Sequence, residues 1–177
     1  MFKINQLYLK RVMKMKIIAK SPKNCNIKEL KTFEKLVIEG GEVAPEGLSK
    51  RILDSECLFF IYAKEQCIGI GAIKRPVAGY KLKSFEKAGV SEQEKYDYEL
   101  GWIYIKEKMR GQQLGNKLME SICCYISENL SDKKCFATVR QDNNSMQYLF
   151  VKYNFSKSGH SYKSRRGNYL LELYIKA

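Results

Sequence analysis

An α+β fold around a mixed sheet is predicted for this chain of 177 residues, and three features of the sequence predict it. The first is a pair of apolar segments, "CLFFIYA" and "CIGIGAIK", set around Lys64, Glu65 and Gln66, which reads as a β-hairpin. The second is "LGNKLMESICCYISENL", where Leu114, Leu118, Ile122 and Ile126 recur every four residues, joined by Met119 and Cys123. That spacing gives an amphipathic helix. The third is the order of segments, β α α β β β α β α β β, with no internal repeat and no low-complexity linker.

Each element has a local reason. "MKIIAKSP" (Met15 to Pro22) is a strand stopped by proline, which leaves residues 1–13 as a basic extension before a single domain over 14–177. Met13 and Met15 are alternative starting residues. "NIKELKTFEKLVIEGG" places Ile27, Leu30, Phe33, Leu36 and Val37 near helical spacing and ends on two glycines, a common helix stop. "PEGLSKRILDSE" is a shorter helix, and Pro76 closes the hairpin. Residues 77–97 are polar and read as a long connection, with a helical turn at Leu82 to Lys87. "YELGWIYI" and "KCFATVR" are strands. "DNNSMQYLFVKYNF" is a helix capped by Asp142 or Asn143. "SKSGHSYKS" and "NYLLELYI" close the chain as a hairpin across Arg165, Arg166 and Gly167.

Composition excludes several classes. Hydrophobic residues at 45% and charged residues at 29% describe a globular domain able to bury a core without disulfides. No run reaches the ~18–20 uninterrupted apolar residues of a membrane span. Lys10, Arg11, Lys14 and Lys16 interrupt any secretory apolar region, so a cytoplasmic location is expected. The cysteines, at 25, 57, 67, 123, 124 and 135, form no Cys-x-x-Cys pair, and the one histidine, His160, has no cysteine near it. No zinc site is expected, and the thiols read as reduced packing residues. Cys135 has no base near it in sequence to make it a nucleophile, and packing is expected. The net charge of +13 asks for an acidic partner, but lysine outnumbers arginine 25 to 7, which does not favour a reader of nucleic-acid bases.

The junction "YELGWIYIKEKMRGQQLGNKLMES" (98 to 121) carries the chemistry. A strand breaks into charged residues, passes two glycines and restarts as a helix, whose first N–H groups have no partner within it. Such a terminus is an anion site. The segment Arg110-Gly111-Gln112-Gln113-Leu114-Gly115 resembles the Arg/Gln-x-x-Gly-x-Gly/Ala motif of the GNAT acyltransferase superfamily. Glu99 stands eleven residues before Arg110, where many family members carry a strand-four glutamate. "NNSMQYLFVKYNF" resembles a second family segment that begins at Asn143. The resemblance runs from about residue 14 to 175 and implies a three-layer, mostly antiparallel sheet flanked by helices.

What it implies about chemistry follows residue by residue. An acetyl group would pass from acetyl-CoA to a primary amine, with Glu99 as general base. The diphosphate would sit against Arg110, Gly111, Gln112, Gln113, Leu114, Gly115 and Asn116, and the pantetheine arm along Ile103, Tyr104 and Ile105, with Asn143 also on the cofactor. Gly115 would allow the cofactor a close approach. Gln113 replaces the first glycine of the motif, and a negative φ with its side chain outward is expected there, because a positive one would cost roughly 1–2 kcal/mol. The family's acid tyrosine falls on Phe150, which donates no proton. Tyr153, one turn on, and Tyr148, on another face, are candidate substitutes, and the preferred reading is no side-chain acid, with water or the ammonium's own proton serving. Trp102 is expected in the core, and His160 as a structural or exposed residue. The acceptor is a small-molecule amine or a protein lysine or N-terminus. Glu39, Glu42 and Glu46 would hold a cationic substrate, whereas Lys163, Arg165 and Arg166 would suit an acidic peptide, a phosphorylated metabolite or RNA. The alternative reading is a basic RNA- or ribosome-associated module of the same fold, and a homodimer through the closing hairpin is a further expectation.

Overall fold

Strand β1 (Met15–Lys20) leads to helices α1 (Ile27–Glu39) and α2 (Leu48–Leu53), then to strands β2 (Cys57–Ala63) and β3 (Gln66–Lys74). Helix α3 (Ala78–Ala88), strand β4 (Tyr96–Ile105), helix α4 (Leu114–Asn129) and strand β5 (Lys134–Arg140) follow. Helix α5 (Asn144–Lys152) and strands β6 (Ser156–Lys163) and β7 (Leu170–Lys176) complete the chain. This computed structural model describes residues 15–41 and 43–176; the extension read at residues 1–13, and Glu42, lie outside them.

The strands form one sheet in the order β1-β2-β3-β4-β5-β7-β6. All neighbours are antiparallel except β4 and β5, which run parallel. Helices α1, α2 and α3 cover one face, where Phe33, Leu36 and Ile52 meet Phe60 and Ile70, and Phe85 meets Phe136 and Leu173. Helices α4 and α5 cover the other, over Phe59, Ile61, Ile73 and Leu100. The predicted α+β architecture with helices on both faces is therefore the observed one.

Local chemistry sets the helix ends. At α1 the Glu29 N–H donates to Asn26 Oδ1 at 2.9 Å and the Asn26 N–H donates to Glu29 Oε2 at 2.8 Å, a reciprocal cap. In α4 the periodic residues Leu114, Leu118, Met119, Ile122 and Ile126 are all buried, which contributes on the order of 10 kcal/mol of apolar transfer. The helix comes close because residue 71 of β3 is glycine: a Cβ there would stand 3.1 Å from Ile122 Cδ1.

Two expectations are corrected. Residues 77–97 contain the full helix α3, eleven residues long, instead of one turn in a loop. Its apolar contribution is small, Phe85 and Ala88, while Val77, Tyr80 and Leu82 keep substantial exposure. What secures it is the seat those two residues find against Tyr96, Phe136, Tyr162 and Leu173, contacts far away in sequence. Gln113 has φ +57°, not the negative value expected, and stands in the left-handed region immediately before α4. Gly111 is also left-handed, at φ +76°. The loop thus makes two left-handed turns in three residues, and only one of them falls on glycine.

A third left-handed residue was not foreseen. Ile70 pairs with Tyr104 and Ala72 with Gly101, so Gly71 faces both Trp102 and Ile103 across a β-bulge. Trp102 carries φ +53°, a conformation that costs a bulky residue roughly 1–2 kcal/mol. Its ring is held edge-on by Phe33 at 6.0 Å, so the expected packing role stands, with the bulge added to it.

Gln113→Gly is expected to stabilise the protein by about 0.5–1 kcal/mol, since strain relief exceeds the entropy cost of glycine; the denaturant midpoint reads it. All six thiols are free, and burial pushes those of Cys57 and Cys135 up to about 12. A thiol reagent at pH 8 is expected to modify exposed Cys124 promptly and to leave Cys57 and Cys135 untouched until unfolding.

Candidate active site

The site is built where two parallel strands separate. The β4–β5 ladder joins Tyr96 to Lys134, Tyr98 to Cys135 and Glu99 to Phe136, and goes no further. Yet β4 continues to Ile105 and β5 to Arg140. Beyond Glu99 the facing edges of the two strands carry no ladder partner, and a notch opens between them toward their C-terminal ends. An unpaired strand edge offers N–H and C=O groups to an extended ligand.

Both faces of the notch are spanned. On one face α5 starts from the end of β5, with Gln147 Nε2 donating to Gln141 O at 2.7 Å. It ends against the first turn of α4, where Lys152 Nζ donates to Asn116 Oδ1 at 2.6 Å and Tyr153 Oη to Asn116 O at 2.9 Å. On the opposite face Tyr80 of α3 reaches both strands: its hydroxyl donates to Glu99 Oε1 at 3.0 Å and lies 3.0 Å from Thr138 Oγ1. Tyr80 is 39% exposed, with its hydroxyl set between Glu99 and Thr138. Burial, reinforced by the Glu99 charge, holds this phenol well above its usual pKa and keeps it a donor.

Glu99 is the last rung of the ladder and is 4% exposed, not a solvated strand end. Its Oε2 accepts from Lys74 Nζ at 2.8 Å. Lys74 is the cross-strand neighbour of Glu99, and its ammonium lies 5.0 Å from the Trp102 ring centroid. Lys74, Glu99, Tyr80 and Thr138 thus form one polar chain across β3, β4, α3 and β5. Sequence reasoning missed Lys74, Tyr80 and Thr138. For Lys74 a signal existed, because it falls in phase with Ile70 and Ala72 on the face that also carries Glu99.

The other predicted residues divide. Ile103 and Ile105 pack toward α4, and Tyr104 toward α1, where its hydroxyl donates to Glu39 Oε1 at 2.8 Å. Arg110, Gly111, Gln112 and Gln113 form an exposed loop, and Leu114 is buried. Arg110 turns back onto the strand, with Nε donating to Ile105 O at 3.1 Å and its guanidinium 5.8 Å from the Tyr104 ring. At Gly115 a Cβ would stand 3.2 Å from Leu149 Cδ1, so the glycine lets α5 pack closely. Asn116 directs its side chain to α5. Asn143 caps α5, Oδ1 accepting from Met146 N at 3.1 Å, and so lies on the β5 lip, at the far end of α5 from the loop.

The candidate acids are likewise placed. Phe150 is 3% exposed, packed on Phe155 and Tyr174. Tyr153 packs against the α4-side core and donates to the Asn116 carbonyl, whereas Glu99 faces α3 on the other side of the sheet. Tyr148 is 67% exposed. Cys135 is buried and His160 is exposed, and neither touches the chain of groups around Glu99. No helix among the described residues is long and apolar enough to cross a membrane, and no group of three or more His, Cys, Asp or Glu among them is placed to hold a metal ion.

The sequence matches the acetyltransferase (GNAT) family over residues 27–155. Among solved structures, Escherichia coli ElaA is similar over 93% of this chain and 100% of its own, with a TM-score of 0.71 at 11% identity. The ribosomal-protein-S18-alanine N-acetyltransferase of Escherichia coli is similar over 91% of this chain and 93% of its own, with a TM-score of 0.64 at 11% identity. Arabidopsis thaliana NAA60, solved with a bisubstrate analogue, covers 90% of this chain and 97% of its own, with a TM-score of 0.64 at 13% identity. At these identities the likeness is one of fold. No curated protein matches the chain at a significant level. The family match runs from the first residue of α1 to Phe155, and so takes in the notch, the loop before α4 and Glu99: the chain belongs to the acetyltransferase (GNAT) family.

Proposed function

We propose that this chain transfers an acetyl group from acetyl-CoA to a primary amine by direct attack, with Glu99 as the general base. One observation carries the reading. The carboxylate that ends the β4–β5 ladder is buried, and it already holds a primary ammonium at 2.8 Å. That pairing supports a carboxylate able to receive the group that must lose a proton.

Acetyl-CoA supplies an activated acetyl thioester. The residues of this chain do the rest. The exposed N–H groups at the start of α4 and the left-handed turns at Gly111 and Gln113 form an anion cradle for the diphosphate. The free edge of β4 from Leu100 to Ile105 offers backbone groups to the pantetheine arm, and a backbone N–H beside the Trp102 bulge polarises the acyl carbonyl. Glu99 accepts the proton of an amine whose ordinary pKa is about 10.4. Tyr80 orients the carboxylate through Oε1. Tyr153 holds the first turn of α4 through Asn116, and the leaving thiolate takes its proton from water or from the ammonium.

The acceptor enters from the α1 side, where Tyr104 and Glu39 line β4. A small amine and a protein N-terminus both fit this chemistry. The fold shared with a protein-directed acetyltransferase supports including the second in a substrate panel.

Calorimetric titration with acetyl-CoA, followed by a panel of amines, tests the proposal. Glu99→Gln is expected to lower kcat/KM for amine transfer by about 10²–10⁴-fold while acetyl-CoA affinity changes little. Unaltered turnover across the pH range would remove Glu99 as the base. Gln112→Glu sets an anion in the exposed loop without straining it and is expected to weaken acetyl-CoA binding by about tenfold or more. Unchanged affinity would mean that the loop is only a turn.

A further inference from the structure

The Lys74 ammonium takes no step in the reaction proposed above, yet it occupies the proposed base and the site is shaped around it. Its side chain is 16% exposed and that of Glu99 is 6% exposed. A lysine at the end of a strand ordinarily carries its ammonium out to water. This one lies flat along β4, and it does so because residue 101 is glycine. A Cβ at Gly101 would stand 2.8 Å from Lys74 Cε and 2.9 Å from Nζ. Gly101 is not among the residues with positive φ, so its backbone conformation does not require glycine; the missing side chain makes room for the lysine. The Trp102 ring borders the ammonium at 5.0 Å.

A primary amine is thus seated against the proposed base, beside the bulge, where β4 loses its partner. An external acceptor has to place its own nitrogen at the same carboxylate. Of the two Glu99 oxygens, Oε1 accepts from Tyr80 and Oε2 from Lys74. Reaching Glu99 therefore means displacing Lys74 or sharing its seat.

We infer that Lys74 is itself an acceptor: with acetyl-CoA bound and no external amine present, the chain acetylates its own Lys74 side chain. The inference rests on acetyl-CoA as donor and Glu99 as base. Glu99 takes a proton from the Lys74 ammonium, and the Nζ lone pair forms the amide bond to the thioester carbonyl carbon. The carbon–sulfur bond breaks, the nitrogen gives up its second proton, and coenzyme A leaves as a thiolate that takes that proton while the first stays on Glu99 until released to water. The products are Nε-acetyl-lysine at position 74 and the free thiol, with nothing oxidised or reduced. The modification removes the charge paired with Glu99 and leaves an amide in the amine seat.

The test is to incubate the purified full chain with acetyl-CoA alone, map acetylated peptides over time at several protein concentrations, and measure acetyl-CoA binding by calorimetry in parallel. Lys74 is expected to gain one acetyl group at least about tenfold faster than the exposed lysines, because it is positioned at the site. Its first-order rate constant is expected not to depend on protein concentration. Glu99→Gln is expected to abolish labelling at Lys74 while labelling of exposed lysines continues. Labelling confined to exposed lysines, or a Lys74 rate that rises with protein concentration, overturns the inference. Binding of acetyl-CoA and turnover of an external amine with Lys74 unmodified overturns it too and leaves the proposed function standing. Absence of acetyl-CoA binding overturns both.

Discussion

The separation of β4 from β5 is the constraint on which the rest of the site depends. Parallel strands cannot be joined by a tight turn, so β4 and β5 are connected through α4, which starts beyond the C-terminal end of one and returns to the start of the other. Their ladder ends at Glu99 and Phe136, and from that rung on each strand presents a bare edge to the notch. Bare edges inside a domain leave backbone polar groups without ladder partners, an arrangement that suits a ligand able to pair with them. The helix that follows β4 then presents its N-terminus beside the opening. Strand edge, helix terminus and carboxylate converge because one parallel pair stops short.

Holding such an opening in shape takes ties on both faces. Helix α5 is one tie, running from the end of β5 to the first turn of α4 and fastened by Gly115 against Leu149 and by the bonds to Asn116. Tyr80 is the other, its hydroxyl set between Glu99 and Thr138. Of the five left-handed non-glycine residues among those described, two lie in this region, Trp102 in the bulge and Gln113 at the helix start. Backbone strain tends to collect where geometry serves a site, and the packing of Trp102 on Phe33 keeps its unfavourable conformation in place. The buried pair Lys74–Glu99 belongs to the same class. Removing two charges from water offsets much of their attraction, so stability alone is a weak reason for the pair. The proposed reaction at the carboxylate supplies another.

Much of the fold was legible in the sequence, because the strongest signals there are local. The 3.6-residue periodicity of α4, the hairpin around Lys64–Gln66 and the Asn143 cap each follow from residues within one or two turns of each other. Helix α3 was not legible beyond a single turn, since Phe85 and Ala88 find their partners in β4, β5, β6 and β7. The expected φ at Gln113 failed for a similar reason. Intrinsic preference argued for a negative value, but α4 is anchored by Leu114 and Leu118 in the core, and the chain must reach it from Met109 by the available turns.

The sequence by itself determined the order of elements, the apolar faces, the polar junction before α4 and the presence of a carboxylate on the strand that leads to it. These depend on spacing along the chain, which composition and periodicity report directly. Tertiary structure decided where the carboxylate points and what meets it. Lys74 and Glu99 are opposite each other only through the β3–β4 register, and the two strands are separated by α3, so no count along the sequence yields that register. Thr138 and Tyr80 reach the same point from a parallel strand and a helix. Burial of Glu99 follows from those encounters, and burial turns a strand-end glutamate into a group whose partners control it.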